Sequence, residues 1–123
     1  MKYLLIISAA LFLVGCCGEN YVKEMTVLSK NIQQQVVTFY KHNKRFPTIQ
    51  ERNKILENAS CVMKSQDVCS YNGRNIRIKT RLDLGDYDAR FYLGKNFCYF
   101  AVDTAGKPNN VSCRKNPCVK LGQ

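Results

Sequence analysis

Residues Asn75-Ile76-Arg77-Ile78-Lys79-Thr80-Arg81-Leu82 alternate strictly, with a charged or amide side chain at every odd position. Only an extended strand sends successive side chains to opposite faces, so this segment fixes a sheet with one cationic face and one face that needs cover. Gly85-Asp86, Gly94-Lys95 and the stretch from Thr104 to Asn109 supply turns. They divide the region into strands at 75–83, 87–93, 97–102 and 110–113, a four-stranded antiparallel meander.

The cover comes from upstream. Between Asn20 and about Lys44 the residues Tyr21, Met25, Leu28, Ile32, Val36 and Phe39 recur every three or four positions, the stripe of an amphipathic helix. Gln33 to Gln35 and the lysines at 23, 30 and 41 mostly fall on its other side. Pro47 closes this helix near Arg45-Phe46, and Thr48 with Glu51 forms a capping box that opens a short helix to about Ala59. Ile49, Ile55 and Leu56 are its apolar contacts. The expected fold class is α+β: an N-terminal amphipathic helix plus a short helix packed on the four-stranded sheet.

Turns centred near Gly85-Asp86, Gly94-Lys95 and Ala105-Gly106 set a register. Leu82 then faces Ala89, Thr80 faces Phe91, Ile78 faces Leu93, Phe91 faces Cys98 and Phe100 faces Val111, all on the apolar side. Cys98 falls opposite Cys113 at a separation that a disulfide can bridge. Cys98–Cys113 is therefore the preferred bond, Cys98–Cys118 its rival, and Cys61–Cys69 the staple between helix and sheet. The opposite face gathers Arg77, Lys79, Arg81, Arg90, Tyr92, Phe97 and Tyr99, with Arg81 facing Arg90 and Arg90 facing Tyr99. Like charges side by side cost stability unless an anion or an aromatic face compensates them. Cations interleaved with rings suit single-stranded nucleic acid, which needs phosphate neutralisation and base stacking.

The chain has 123 residues, 46% of them hydrophobic, and no low-complexity tract, which excludes both disorder and a second domain. Met1 to Gly15 reads as Met-Lys followed by an apolar run from Tyr3 to Val14, too short to span a bilayer and right for an export signal. Leu13-Val14-Gly15-Cys16 resembles the lipobox of bacterial lipoproteins. That resemblance implies cleavage after residue 15, a covalent lipid on Cys16, a tether over 16–19, and a single domain over 20–123. It implies a bacterial membrane as the address, the outer membrane for want of an Asp after Cys16, with the domain facing periplasm or cell surface. The lipid is the only cofactor expected.

With Lys2 removed, 18 of the 19 Lys and Arg remain against 9 Asp and Glu, so anionic partners are expected. Of the seven Cys, six follow Cys16, and in an oxidising compartment they read as a disulfide framework with Cys17 and Cys118 unassigned. No Cys-x-x-Cys occurs, and the only His, His42, lies on the first helix far from the cysteines, so zinc is not expected. Asp83, Asp86 and Asp88 crowd one turn without a calcium-loop pattern. Nucleophile sets would have to use His42, to which nothing else points, so the chain reads as a binding protein and not an enzyme.

The long helix, its end at Phe39-Tyr40, the Arg45-Phe46-Pro47-Thr48 stretch, the short helix, the sheet and the Cys-bounded C-terminal region together resemble the soluble part of type IV pilins and type II secretion pseudopilins. A lipobox stands here where those proteins carry a peptidase site before Phe and a long apolar helix. The resemblance implies a lipid-anchored accessory subunit of a pilus, secretion or DNA-uptake apparatus. The other expectation is a surface lipoprotein that blocks a protein partner, as an enzyme inhibitor or a conjugation-exclusion protein does.

Overall fold

A computed structural model describes residues 19–114. The signal at 1–15, Cys16, Cys17 and Cys118 lie outside the described residues. Helix α1 (Glu19–Asn43) leads into helix α2 (Ile49–Asn58), and six strands follow: β1 (Val62–Ser65), β2 (Val68–Tyr71), β3 (Arg74–Asp83), β4 (Asp86–Leu93), β5 (Asn96–Val102) and β6 (Ser112–Arg114). They form one antiparallel sheet in the order β1-β2-β3-β4-β5-β6, so each strand pairs with its neighbour in sequence. The α+β class holds, but the sheet has six strands and not four.

The two extra strands are a hairpin that occupies the expected helix-to-sheet connection. Each is only four residues long and neither alternates in burial, so neither carries a period-two signal. Their anchor is Arg52 of α2, which is 2% exposed. Its guanidinium donates to Asn53 Oδ1 and Thr80 Oγ1, to the Gln66 carbonyl at 3.0 Å and to Asp67 Oδ1 at 3.5 Å. Gln66 and Asp67 are the turn of that hairpin, and the Ile78 amide donates to the Asp67 carbonyl. The Cys61–Cys69 disulfide ties the start of β1 to β2.

The covered face follows the two periodicities. Met25, Leu28, Ile32 and Val36 of α1, with Ile55 and Leu56 of α2, bury against Ile76, Ile78, Ala89, Phe91, Cys98, Phe100 and Val102. Fully burying each larger side chain here contributes about 1.5–3 kcal/mol. Ile49 is 45% exposed and adds nothing to this core. Two polar side chains share the α1 stripe. Gln33 is buried, an exception to the mostly outward placement expected of Gln33 to Gln35, because beyond Tyr99 the partner of β5 is the irregular stretch at Pro108-Asn109 and not a regular strand. Its Nε2 donates to the Ala101 and Asn109 carbonyls, while Asn109 Oδ1 accepts from the Ala101 amide. Ser29 is fully buried, and its Oγ is the one buried side-chain polar atom without a partner among the described residues. Ser29→Ala should therefore raise stability by roughly 0.5–1 kcal/mol, read as a higher thermal midpoint, since alanine removes an unpaired hydroxyl and is the better helix former.

The capping box forms as expected: Thr48 Oγ1 accepts from the Glu51 amide and Glu51 Oε1 accepts from the Thr48 amide. The Arg45 guanidinium holds the Glu51 carboxylate in a two-pronged ion pair, and with the Thr48 amide it brings the Glu51 pKa down to about 2. Phe46 stacks between Tyr40 and Tyr87, at ring-centre distances of 4.5 and 5.4 Å, and fixes the bend between the helices to the sheet.

Candidate nucleic-acid interface

The uncovered face of the sheet is organised in rows across the strands. One row runs Val68, Arg77, Tyr92, Phe97, Arg114; the next runs Lys79, Arg90, Tyr99, Ser112; the third runs Arg81, Asp88, Ala101. Arg77, Lys79, Arg81, Arg90, Tyr92 and Tyr99 thus share one surface. Phe97 stands beside Tyr92 with ring centres 5.6 Å apart. Arg77 Cζ lies 4.8 Å from the centre of the Tyr92 ring, and Arg90 Cζ lies 5.6 Å from that of Tyr99. Each aromatic strip therefore already carries a cation, and the first row ends in a second one, Arg114.

The register between β3 and β4 differs from the expected one. The turn is Leu84-Gly85, both with positive φ, so Ile78 pairs with Phe91, Thr80 with Ala89 and Leu82 with Tyr87. The shift of two residues keeps every side chain on its face but changes its neighbour. Arg81 stands opposite Asp88, not Arg90, and Arg90 stands opposite Lys79. Opposite charges across a pair stabilise it and like charges do the reverse, which favours the observed register at Arg81. The Arg90–Tyr99 and Phe91–Cys98 pairs stand as expected, as does Cys98–Cys113, whose disulfide closes in the structure and displaces the Cys98–Cys118 alternative. Strand β6 covers 112–114 and not 110–113, so Val111 pairs with nothing in the ladder and Phe100 has no strand partner there.

Asp88 belongs to this face, and not to the turn in which its spacing from Asp83 and Asp86 suggests it sits. It is 7% exposed, accepts a hydrogen bond from the Tyr99 hydroxyl at 2.9 Å and one from Arg81 Nε at 3.2 Å. Arg81 also reaches Asp83 at 3.6 Å, so its charge is met twice from within the chain. Partial burial, then the Asp88 carboxylate, pushes the Tyr99 hydroxyl above its ordinary pKa and keeps it a donor. The Tyr92 hydroxyl, and less strongly the Asp88 carboxylate, raise the pKa of the Arg90 guanidinium above its ordinary value.

Two shallow depressions share Arg90. One, about 160 Å³, is walled by Lys79, Thr80, Arg81, Asp88 and Arg90; the other, about 350 Å³, by Arg90, Phe97, Tyr99, Ser112 and Arg114. Lys79 has no ion pair among the described residues, and it sits directly across from Arg90. Two cations in that position repel each other unless an anion lies between them, and the site is open to receive one.

No protein-family model matches the chain, and neither the curated proteins nor the solved structures yield a match. No helix among the described residues is long and apolar enough to cross a membrane. Among the described residues no three His, Cys, Asp or Glu side chains gather as they would around a metal ion.

Proposed function

We propose that the chain is a non-enzymatic, lipid-anchored binding module whose open sheet face engages a polyanion, with single-stranded nucleic acid the best fit. The observation that carries this reading is the pair of rows Arg77-Tyr92-Phe97-Arg114 and Lys79-Arg90-Tyr99. Phosphates would lie along the Lys79–Arg90 pair and toward Arg114. Bases would stack on Tyr92, Phe97 and the guanidinium planes, a demand that a closed duplex cannot meet. Arg81 contributes least, because Asp88 and Asp83 already answer its charge. The lipobox at Cys16 supports anchoring to a membrane. The pilin resemblance supports a place in a pilus, secretion or DNA-uptake apparatus.

A salt series with the mature chain in neutral detergent tests the reading. Binding to single-stranded DNA should weaken steeply with salt and exceed binding to duplex. The combined variant Arg77→Gln, Lys79→Gln, Arg90→Gln should make the log–log salt slope shallower by about 2, at roughly 0.7 for each phosphate no longer neutralised. Arg81→Gln alone should leave the slope close to the parent's. Absence of binding at low salt would overturn the proposal. Stoichiometric capture of one protein, indifferent to the triple change, would instead support a lipoprotein that blocks a partner.

A further inference from the structure

Strands β4, β5 and β6 set six side chains of the open face in a grid of two lines. Arg90, Tyr99 and Ser112 form one line, and Tyr92, Phe97 and Arg114 form the other. Backbone neighbours within a line are about 4.8 Å apart, and the lines are about 6.8 Å apart, two strand rises. The rings of Tyr99 and Phe97 therefore share the middle strand, and the two arginines hold opposite corners.

Five of the six, all but Tyr92, wall the depression of about 350 Å³. That is the small end of the range of about 300–1,000 Å³ usual for ligand clefts, so it suits one planar ring with its substituents. No carboxylate lines it. Arg90 and Arg114 are exposed, and neither has an ion pair among the described residues. The nearest acid, Asp88, lines the other depression and is held by Arg81 and the Tyr99 hydroxyl. Two cations with unanswered charge thus flank one shallow cleft.

The three rings of the grid are not equivalent. Arg77 lies over Tyr92 and Arg90 over Tyr99, whereas no cation is placed over Phe97 among the described residues. Phe97 is half-buried and meets Tyr92 at a tilt of 33°, so it is the ring most open to a planar ligand. The Tyr99 hydroxyl donates to Asp88 at 2.9 Å, which leaves the exposed Ser112 hydroxyl as the polar group free to meet such a ligand. A single hydroxyl donates or accepts as needed, so it does not select among bases.

Resting on the single-stranded reading above, we propose that this depression seats one nucleobase against Phe97, with the phosphates on its two sides held by Arg90 and Arg114. The smallest complete ligand is then a nucleoside 3′,5′-bisphosphate, the unit that a single strand offers at every internal position. A nucleoside monophosphate answers one corner of the seat and leaves the other cation unmet. An anion without a base can answer both corners but leaves Phe97 bare. Lys79, directly across from Arg90, shares the phosphate on that side. The seat therefore binds any base, one at a time, and requires a phosphate on each side of it.

The test titrates the full mature chain, isotopically labelled and in neutral detergent, with thymidine 3′,5′-bisphosphate, thymidine 5′-monophosphate, inorganic pyrophosphate and a long oligothymidylate. The bisphosphate should shift the amide signals of Phe97, Tyr99, Ser112 and Arg114. It should bind about 10-fold more tightly than pyrophosphate, the gain expected from stacking one base. Phe97→Leu should erase that gain and leave pyrophosphate binding unchanged, and Phe97→Tyr should keep it, so the loss could not be blamed on unfolding. Arg114→Gln should bring the bisphosphate down to the affinity of the monophosphate. Pyrophosphate binding as tightly as the bisphosphate would overturn the seat, as would a gain retained in Phe97→Leu or shifts confined to other residues. So would oligothymidylate binding without any response to millimolar bisphosphate; in each of these cases the broader nucleic-acid reading stands if the oligothymidylate binds. Failure of oligothymidylate and bisphosphate alike would overturn both.

Discussion

Arg52→Ala should destabilise the domain by about 3 kcal/mol, measured as a fall in the urea midpoint, with protection from hydrogen exchange lost first in residues 62–71. The magnitude follows from its surroundings. The side chain is 2% exposed and its guanidinium is the shared partner of Asn53, Thr80, Gln66 and Asp67. Hydrogen bonds to a charged group contribute about 1.5–3 kcal/mol each before overlap, and truncation also leaves a cavity and unpaired acceptors behind. Arg52→Lys keeps the charge but cannot reach the α2 side, Thr80 and the hairpin turn together, so most of the loss should remain. A cost below about 1 kcal/mol would mean that the β1–β2 hairpin holds itself, through Cys61–Cys69 and its own ladder.

Removing the second cross-link, by Cys98→Ala with Cys113→Ala, should cost about 3 kcal/mol, as expected for a disulfide whose cysteines lie 15 residues apart. The loss should also reach function. Strand β6 has only three paired residues, and Cys113 is the one turned toward the helix, where its sulfur lies 3.1 Å from Thr26 Oγ1. Without the bond, β6 has little to keep it on the sheet. Arg114, which ends the Arg77-Tyr92-Phe97 row, would then leave the interface. Equilibrium unfolding should report the stability loss, and anisotropy with single-stranded DNA should report weaker binding at temperatures where the variant is still folded. Unchanged protection of the Ser112 and Arg114 amides, which flank the close-packed Cys98–Cys113 pair and face β5, would refute this account of β6.

Periodicity carries most of the fold. The stripe Met25-Leu28-Ile32-Val36 and the alternation of 75–82 each place their residues in the core as expected, and both disulfides follow from register and spacing. What stays hidden in the sequence is structure held by single polar side chains. Strands β1 and β2 are pinned by Arg52, and a lone arginine in a short helix gives no periodic signal of its burial. A usable sign of β2 is present nonetheless: Asn72-Gly73, with φ of +52° and +79°, is a two-residue hairpin turn, and it requires a strand before Arg74. Asp88 is hidden by a choice of turn. Centring on Leu84-Gly85 in place of Gly85-Asp86 moves it opposite Arg81, and opposite-charge pairing can choose between the two. Each cationic residue keeps its face under either choice, because a shift of two residues preserves it. Gln33 is misplaced because helical spacing cannot foresee that β5 meets the irregular Pro108-Asn109 stretch at Ala101 and Val102, where the Gln33 amide completes the hydrogen bonding.

The sheet can zip up as successive hairpins, since spatial order equals chain order, but the first helix cannot share in that. Helix α1 packs chiefly across β5, whose first residue, Asn96, comes more than fifty positions after α1 ends at Asn43. During synthesis from the N-terminus, Met25, Leu28, Ile32 and Val36 therefore emerge well before the strand that buries them. Until β5 arrives this stripe is an oily handle on a nascent chain, open to a holding chaperone or to another unfinished copy, and a segment made early becomes the last to be buried.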